Sequence, residues 1–537
     1  MADQDADYIV IGAGVTGCVI ASRLSQSEQN SKVVLLEAGS DPSGEPAAAG
    51  FLSGLSLQGG QFDYAYSSEP VSTTADRVHT LSSGKALGGG SILNYDAADY
   101  DEWAKIVGDQ RWSHEGLKPW LRKSERFHDS TADAEEHGFD GTMHVVSVSG
   151  SENGERKYPL RETVKEAWLE LGVPLNLDKK DGLIGGLTEM HENSDQGTRQ
   201  PANTAYSLAN VQVQTNTMVQ RIVFSGKRAT GVELADGRKI SARKEVIICA
   251  GTYRTPQLLM LSGIGPSNIL KEQGIPVVHE SPQVGQNLHD HFAIYLAFRL
   301  RDPSLGYALG SPSWQNPALL KGMPWDWMIS QPLPSEIIGR HEGARDKKDR
   351  NLYEILTAYV PPGIPGIPVD GTHIATSTML LLPSSRGSVS IRSNKTSDPP
   401  VIRPNYLSTP LDRDTLIHAA RQTLRLMLTT DQMKAVVEGE TPPSGEGLEG
   451  LKPLTASASD EELEERIRLT GMQHFHSGGT AAMGTVVDVH GKVFGVEGLR
   501  VADASIVPIP LGGHPQATLY AMAEQLASDI CGAARTD

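Results

Sequence analysis

The chain is poor in cysteine, has no basic block and contains no long apolar run. Cys18, Cys249 and Cys531, three in 537 residues, are too few and too scattered for a disulfide framework or a cysteine-based zinc site. Lys and Arg number 48 against 65 Asp and Glu, a formal net charge of −17, and the cations are nowhere clustered. Binding to a phosphate backbone needs such a cluster, so the composition argues against nucleic acid as a partner, and the acidity reads as a solubilising surface. No apolar stretch approaches the roughly 20 residues of a membrane-spanning helix. The opening "MADQDADYIVIGAG" carries acids where a secretory leader carries cations, so the expectation is a soluble intracellular protein without a signal peptide. The one Asn-x-Thr sequon, Asn394-Lys395-Thr396, arises too easily by chance to argue for secretion.

What is present begins at once. Tyr8 to Ile11 is a short apolar run with the β-branching of a buried parallel strand, followed by Gly12, Gly14 and Gly17 at G-x-G-x-x-G spacing. Val15 to Leu24 then reads as a helix, and a second apolar run, Val33 to Leu36, ends in Glu37. This strand–turn–helix–strand–acid order is that of a dinucleotide site. Gly12 permits the tight turn, Gly14 lets backbone approach the pyrophosphate, and Gly17 allows helix and strand to pack closely. The helix N-terminus offers unpaired N–H groups to phosphate, and Glu37 can take ribose hydroxyls. The spacing alone does not separate FAD from NAD; its terminal position and the glycine soon after the acid, in "LLEAGSDP", favour FAD.

Further along, residues 217–250 alternate around turns at Ser225-Gly226 and Asp236-Gly237, which predicts a β-meander ending in a buried strand. The stretch 251–265 carries a helix with Leu258, Leu259 and Leu261. Two strands flanking "SSRG" between His373 and Arg392 suggest a hairpin. Residues 459–469 read as helical, and 516–530 as a long amphipathic closing helix. The Pro-rich 360–370 and 441–454 read as loops or lids, and the Trp/Met cluster from Trp314 to Met328 as core or loop cover that can also line an apolar pocket. The mixture predicts one α/β nucleotide-binding domain with a second α+β domain threaded through it in several pieces.

Several motifs occur in order along nearly the whole chain: the opening stretch, "GKALGGGSILN" (84–94), "GTYRTPQLLMLSGIG" (251–265), "VGQNLHDH" (284–291), "RGSVSIRS" with "RPNYL" (386–407), "LRVADASIVP" (499–508) and "HPQATLYAMAEQLASDI" (514–530). Together they resemble the glucose–methanol–choline (GMC) oxidoreductases, FAD enzymes that mostly oxidise alcohols. The resemblance implies an α/β fold: a Rossmann-like FAD-binding domain (residues 1–100, 205–295 and 470–537) and an interleaved α+β substrate domain on an antiparallel sheet (101–204 and 296–469). It implies that Gly12, Gly14, Val15, Thr16, Gly17, Glu37 and Ala38 hold the ADP half of FAD, with Val219 at the adenine. Leu87, Gly89, Ser91 and Asn94 would lie along the flavin, and Asp503, Ala504, Pro515 and Gln516 at the ribityl chain and pyrimidine edge. Members that tether flavin covalently usually have a histidine just before the equivalent of Asn94. Here that residue is Leu93, so the expectation is non-covalent FAD. The chain also runs directly from Asn94 through "YDAADYDEW", without the longer segment the family commonly has on the substrate side.

The same resemblance divides the histidines of "QHFHSGGTAAMG" (473–484). The family's His-x-x-Gly-Thr motif falls on His476, which becomes the expected base for the substrate hydroxyl, with the hydride passing to flavin N5. His514, six residues before Tyr520, becomes its partner. His474 is then a supporting residue, Phe475 a neighbour of the flavin, and the glycines room for flavin and substrate. His289 and His291 read as packing or hydrogen-bonding residues. His474 and His476 would share one face if the segment were a strand, a possible metal edge, but no third ligand accompanies them and no metal is expected. The expected partners are a small-molecule alcohol, aromatic or aliphatic, and oxygen or another electron acceptor, with no membrane or nucleic acid. The alternatives are a non-redox enzyme on this fold, a hydroxynitrile lyase, isomerase or cyclase using the same histidines for acid–base chemistry, or a non-catalytic protein that kept the fold.

Overall fold

A computed structural model describes residues 4–26, 31–89, 97–177 and 185–533. Two seven-stranded sheets organise them, each with its own apolar core. The first is the nucleotide-binding sheet. Strand Gln4–Ile11 lies at its centre, paired in parallel with Val33–Leu36 on one side and Lys239–Ile248 on the other, and Gln212–Gln214 extends it beyond Val33–Leu36. The predicted meander is present: Val219–Ser225, Arg228–Leu234 and Lys239–Ile248 run antiparallel, and the last turns inward as a core strand. Leu499–Val501 adds in parallel to Val246–Ile248, so residues from the far end of the sequence complete the sheet. Strands paired on both sides and covered on both faces are apolar throughout, and Ile9, Val10, Val34, Leu35 and Val246 to Ile248 are fully buried.

The helix Val15–Gln26 packs over this sheet against the closing helix Gln516–Ala533. The closing helix is not amphipathic as predicted. Nearly every residue from Gln516 to Ala527 is buried, because the helix is enclosed by Val15–Gln26 and by the helix His114–Ser124.

The second sheet is antiparallel throughout, in the order Val437–Thr441, Phe292–Leu300, His373–Leu380, Tyr353–Ala358, Trp325–Gln331 and Gly186–Glu189, with Met472–Gln473 paired to Phe292–Ala293. Side chains alternate between its faces. One face carries Ile294, Leu296, Phe298, Ile374 and Thr378 towards the helix Pro410–Thr429, where Thr378 and Thr423 share a 2.7 Å hydroxyl hydrogen bond. Glu354, Ser377, Met379, Ala293 and Tyr295 therefore project from the opposite face. The hairpin predicted around "SSRG" does not form. His373–Leu380 stays in the large sheet, while Ser388–Ser390 pairs with Val401–Arg403. The intervening turn is captured by Asp412, whose carboxylate accepts the backbone N–H groups of Ser384 and Ser385 at 2.8 and 2.9 Å. The Trp/Met cluster is mostly core: Trp314, Met323, Trp327 and Met328 are all buried.

Candidate active site

The first turn of the chain builds a cleft by what its glycines leave out. Gly12 has φ +98°, and a Cβ there would stand 2.3 Å from the Cys249 carbonyl oxygen. A Cβ on Gly17 would stand 2.0 Å from the Gly12 carbonyl oxygen, so both glycines are required for close packing. Gly14 differs, since a Cβ there would meet nothing within 4 Å. It faces a cleft lined by Gly12, Gly14, Val15, Thr16, Glu37, Ala38, Gly89, Val219, Asp503 and Ala504 among others. Gly17 packs against Gly12, Leu87 packs into the core, and Pro515 and Gln516 lie at the start of the closing helix. Ser91, Leu93 and Asn94 fall outside the described residues.

The acids of the cleft are fixed by backbone. Glu37 accepts N–H groups from Ala13 and Gly39, each at 2.8 Å; burial pushes its pKa up and these bonds oppose the rise. Asp503 accepts Gly251 N–H at 3.0 Å, Ser505 N–H at 2.8 Å and the Thr255 hydroxyl at 2.6 Å, tying the start of the helix Gly251–Leu261 to the loop 503–505. Sequence reasoning missed Tyr64, Arg254, Gln257 and Thr396, which also line the cleft. Arg254 lies over the Tyr64 ring at 4.8 Å and donates to the Tyr66 hydroxyl, Gln257 and the Thr396 carbonyl. Its signal was a cation in an otherwise uncharged helix, "GTYRTPQLLML".

Where the cleft reaches Ala504, it meets the histidine cluster. The Ala504 carbonyl accepts Gly479 N–H at 3.2 Å, and Gly478 and Gly479 lie close against the ring of His289. A Cβ on either glycine would come within 2.6–2.7 Å of that ring, so these glycines make room for His289. His289 itself donates Nε2–H to the Val507 carbonyl at 3.1 Å, and burial holds its pKa down at about 3. The segment 474–476 is not a strand. Phe475 has φ +62°, which breaks the extended geometry needed to put His474 and His476 on one strand face, and its side chain stays 41 % exposed. Among the described residues no group of three His, Cys, Asp or Glu side chains is placed to hold a metal.

The structure brings His476 and His514 together, with ring centroids 4.8 Å apart, and His474 lies 5.2 and 5.8 Å from them. His514 is buried just before the closing helix, and its Nε2 lies 3.0 Å from Oε1 of Glu354. The Nδ1 atoms of His514 and His474 and the second oxygen of Glu354 are buried without a hydrogen-bond partner among the described residues. His474 stacks on Tyr295, its Nε2 3.4 Å from the Ser377 hydroxyl, and burial beside His514 holds its pKa at about 3. His476 is held well below the usual histidine range by burial and by the neighbouring His514, His291 and His474. The loop before His514 is pinned by Asp99, which accepts Gly512 N–H and pairs with Arg350. Glu354 was also missed, although an acid inside the apolar run "LYEILTAYV" was a legible sign of a buried, partnered carboxylate.

Residues 6–293 and 383–523 match two family models, both described as GMC oxidoreductase. The chain belongs to the GMC oxidoreductase family. It is 37 % identical to the GMC-type oxidoreductase acuG of Aspergillus aculeatus, over 97 % of this chain and 98 % of that protein. It is 34 % identical to an oxygen-dependent choline dehydrogenase of Escherichia coli, over 98 % and 95 %. Among solved structures, formate oxidase of Aspergillus oryzae superposes with a TM-score of 0.89 at 25 % identity, covering both chains completely. This GMC oxidoreductase is an FAD-dependent enzyme, and the family's chemistry is the oxidation of alcohols. The cleft fits that cofactor: Gly14 leaves open the space a Cβ would fill, and at the start of the closing helix Gln516 keeps a buried Oε1 without a hydrogen-bond partner among the described residues. Among the described residues, no helix is long and apolar enough to cross a membrane.

Proposed function

We propose that the enzyme oxidises an apolar alcohol, aromatic or aliphatic, to its carbonyl at the junction of the cleft and the histidine cluster. The observation that carries this reading is the pairing of His476 and His514 with opposite supports, His291 behind one ring and Glu354 behind the other. Glu354 takes the Nε2–H of His514 and fixes that ring, whose Nδ1 has no partner among the described residues and is left to engage the substrate oxygen. His476, whose charged form is disfavoured, offers a bare nitrogen that takes the hydroxyl proton. FAD, when bound, supplies the acceptor for the carbinol hydride. Gly12, Gly14, Val15, Thr16, Gly17, Glu37, Ala38 and Val219 would hold its ADP half, and Asp503, Ala504, Pro515 and Gln516 its ribityl chain and pyrimidine edge, without a covalent link. The sheet face beside the histidines supports an apolar substrate. It presents Ala293, Tyr295, Ala297 and Met379, and Ile364 and Ile367 of the loop 360–370 pack against Ala297.

The test is anaerobic mixing of the FAD-loaded enzyme with a panel of aromatic, aliphatic and sugar alcohols while the flavin absorbance is followed. Bleaching by apolar alcohols, lost in His476→Ala, is the expected result. Turnover of a substrate with no bleaching by any alcohol would move the reading to non-redox acid–base chemistry.

A further inference from the structure

A histidine can act as a base through either ring nitrogen, and which one is bare depends on what holds the other. We propose that His291 is a positioning residue that fixes the tautomer of His476, placing its proton on Nδ1 and leaving Nε2 bare. The inference rests on the reading of His476 as the base, and its geometry stands apart from that reading.

One group beside these rings has no choice of role. The carbonyl oxygen of Leu511 only accepts, and His291 Nε2 lies 2.8 Å from it, so His291 carries its proton on Nε2. His291 is buried among other histidines, which disfavours its charged form, so the neutral ring presents a lone pair at Nδ1. That lone pair is 2.9 Å from Nδ1 of His476, with the two rings at 90°. Two lone pairs do not face each other at that distance, so His476 Nδ1 is the donor. Among the described residues His476 makes its ring hydrogen bond through Nδ1, so Nε2 is the nitrogen left to take a proton.

The backbone enforces the same arrangement. Asp290 Oδ1 accepts the His476 N–H at 2.9 Å, while its Oδ2 accepts the Tyr406 hydroxyl at 3.0 Å. The His291 carbonyl accepts the His474 N–H at 2.9 Å. Residues 290 and 291 thus grip 474 and 476 from both sides of Phe475, and the left-handed turn at Phe475 lies between these two anchors. The carbonyl at the head of the relay, Leu511, lies on the loop that delivers His514. One loop therefore places one histidine of the pair and sets the proton of the other.

The experiment uses FAD-loaded enzyme with ¹⁵N-labelled histidine, in which ring nitrogens bearing hydrogen and bare ring nitrogens give separate NMR signals. The His476 signals are assigned by their disappearance in His476→Gln. The expected native state is a neutral His476 protonated at Nδ1. His291→Phe removes the acceptor while filling similar volume. It should yield a mixture of His476 tautomers and slow flavin reduction about 10–100-fold, the usual cost of losing a group that orients a reactive one. Binding of an unreactive alcohol analogue should change less than about twofold, the residue being remote from substrate. His291→Gln, whose amide offers an oxygen to His476 and an N–H to Leu511, should recover the single tautomer and most of the rate. A native His476 protonated at Nε2, or an unchanged tautomer in His291→Phe, overturns the proposal. If the tautomer is as stated but His476→Ala still reduces flavin normally, the relay stands and the base assignment fails.

Discussion

Gly12, Gly14 and Gly17 lie within one turn of chain, whereas His291, Glu354, His474, His476 and His514 arrive from four separate segments. The cleft is thus made largely of backbone held close by missing side chains, and the histidine cluster of side chains held in place by distant backbone. The difference predicts different failures. A change in the cleft's glycines disturbs folding or cofactor affinity, while a change in the cluster leaves a folded, yellow enzyme that reacts slowly.

The largest effect should come from Gly12→Ala. The new Cβ would lie 2.3 Å from a backbone oxygen at a φ of +98°, and neither side can yield without moving a core strand. A loss above about 4 kcal/mol is expected, seen as a collapse in yield or in the thermal midpoint. Gly14→Ala is the matched control, since its Cβ meets nothing within 4 Å. The FAD-free protein should melt within about 0.5 kcal/mol of wild type, as a substitution touching nothing does. FAD affinity should nevertheless fall, measured by flavin fluorescence on titration. Equal damage in both variants would erase the distinction between packing glycines and a cradle glycine.

In the cluster, His476→Ala should slow anaerobic flavin reduction by about 10²–10⁴-fold with FAD content unchanged, the range for loss of a general base. Glu354→Gln should cost less, about 10–100-fold, because it disturbs only the support of His514. Its dependence on His514 is checkable: in a His514→Asn background, Glu354→Gln should add almost nothing, whereas independent costs that multiply would place Glu354 outside the pair.

The same contrast explains what could be read from the sequence. The strand–turn–helix–strand order and Glu37 are local, and so are the strands of the meander, whose turns are marked by glycine. The division of labour between His474 and His476 came from a family motif, not from the residues, because two histidines flanking one aromatic look alike until the fold positions them. Glu354 reaches His514 across 160 residues of sequence, and His291 reaches His476 across 185. No periodicity in "LYEILTAYV" or "NLHDHF" announces those distances. The "SSRG" hairpin failed for a related reason: Asp412, well outside the window, captures the turn and redirects the chain.

The smallest effect expected is on pH, and it tests whether the cluster acts as a unit. His476 is held below the ordinary histidine value because burial, first of all, and the neighbouring rings of His514, His291 and His474 disfavour its protonated form. A lowered pKa means that the bare base persists as pH falls. Flavin reduction should therefore hold its plateau below about pH 6.5, where an unperturbed histidine is half protonated, and decline only as pH drops through the lowered value. His514→Asn removes one of the neighbours that lower the pKa of His476, so its acid limb should move upward even as its plateau rate falls. Rate–pH profiles of the two proteins, measured by stopped flow without oxygen, give both quantities. A wild-type limb at or above about pH 6.5 would mean that the base is not the ring the cluster surrounds. A limb unmoved in His514→Asn would mean that the two rings, though 4.8 Å apart, do not share their charge.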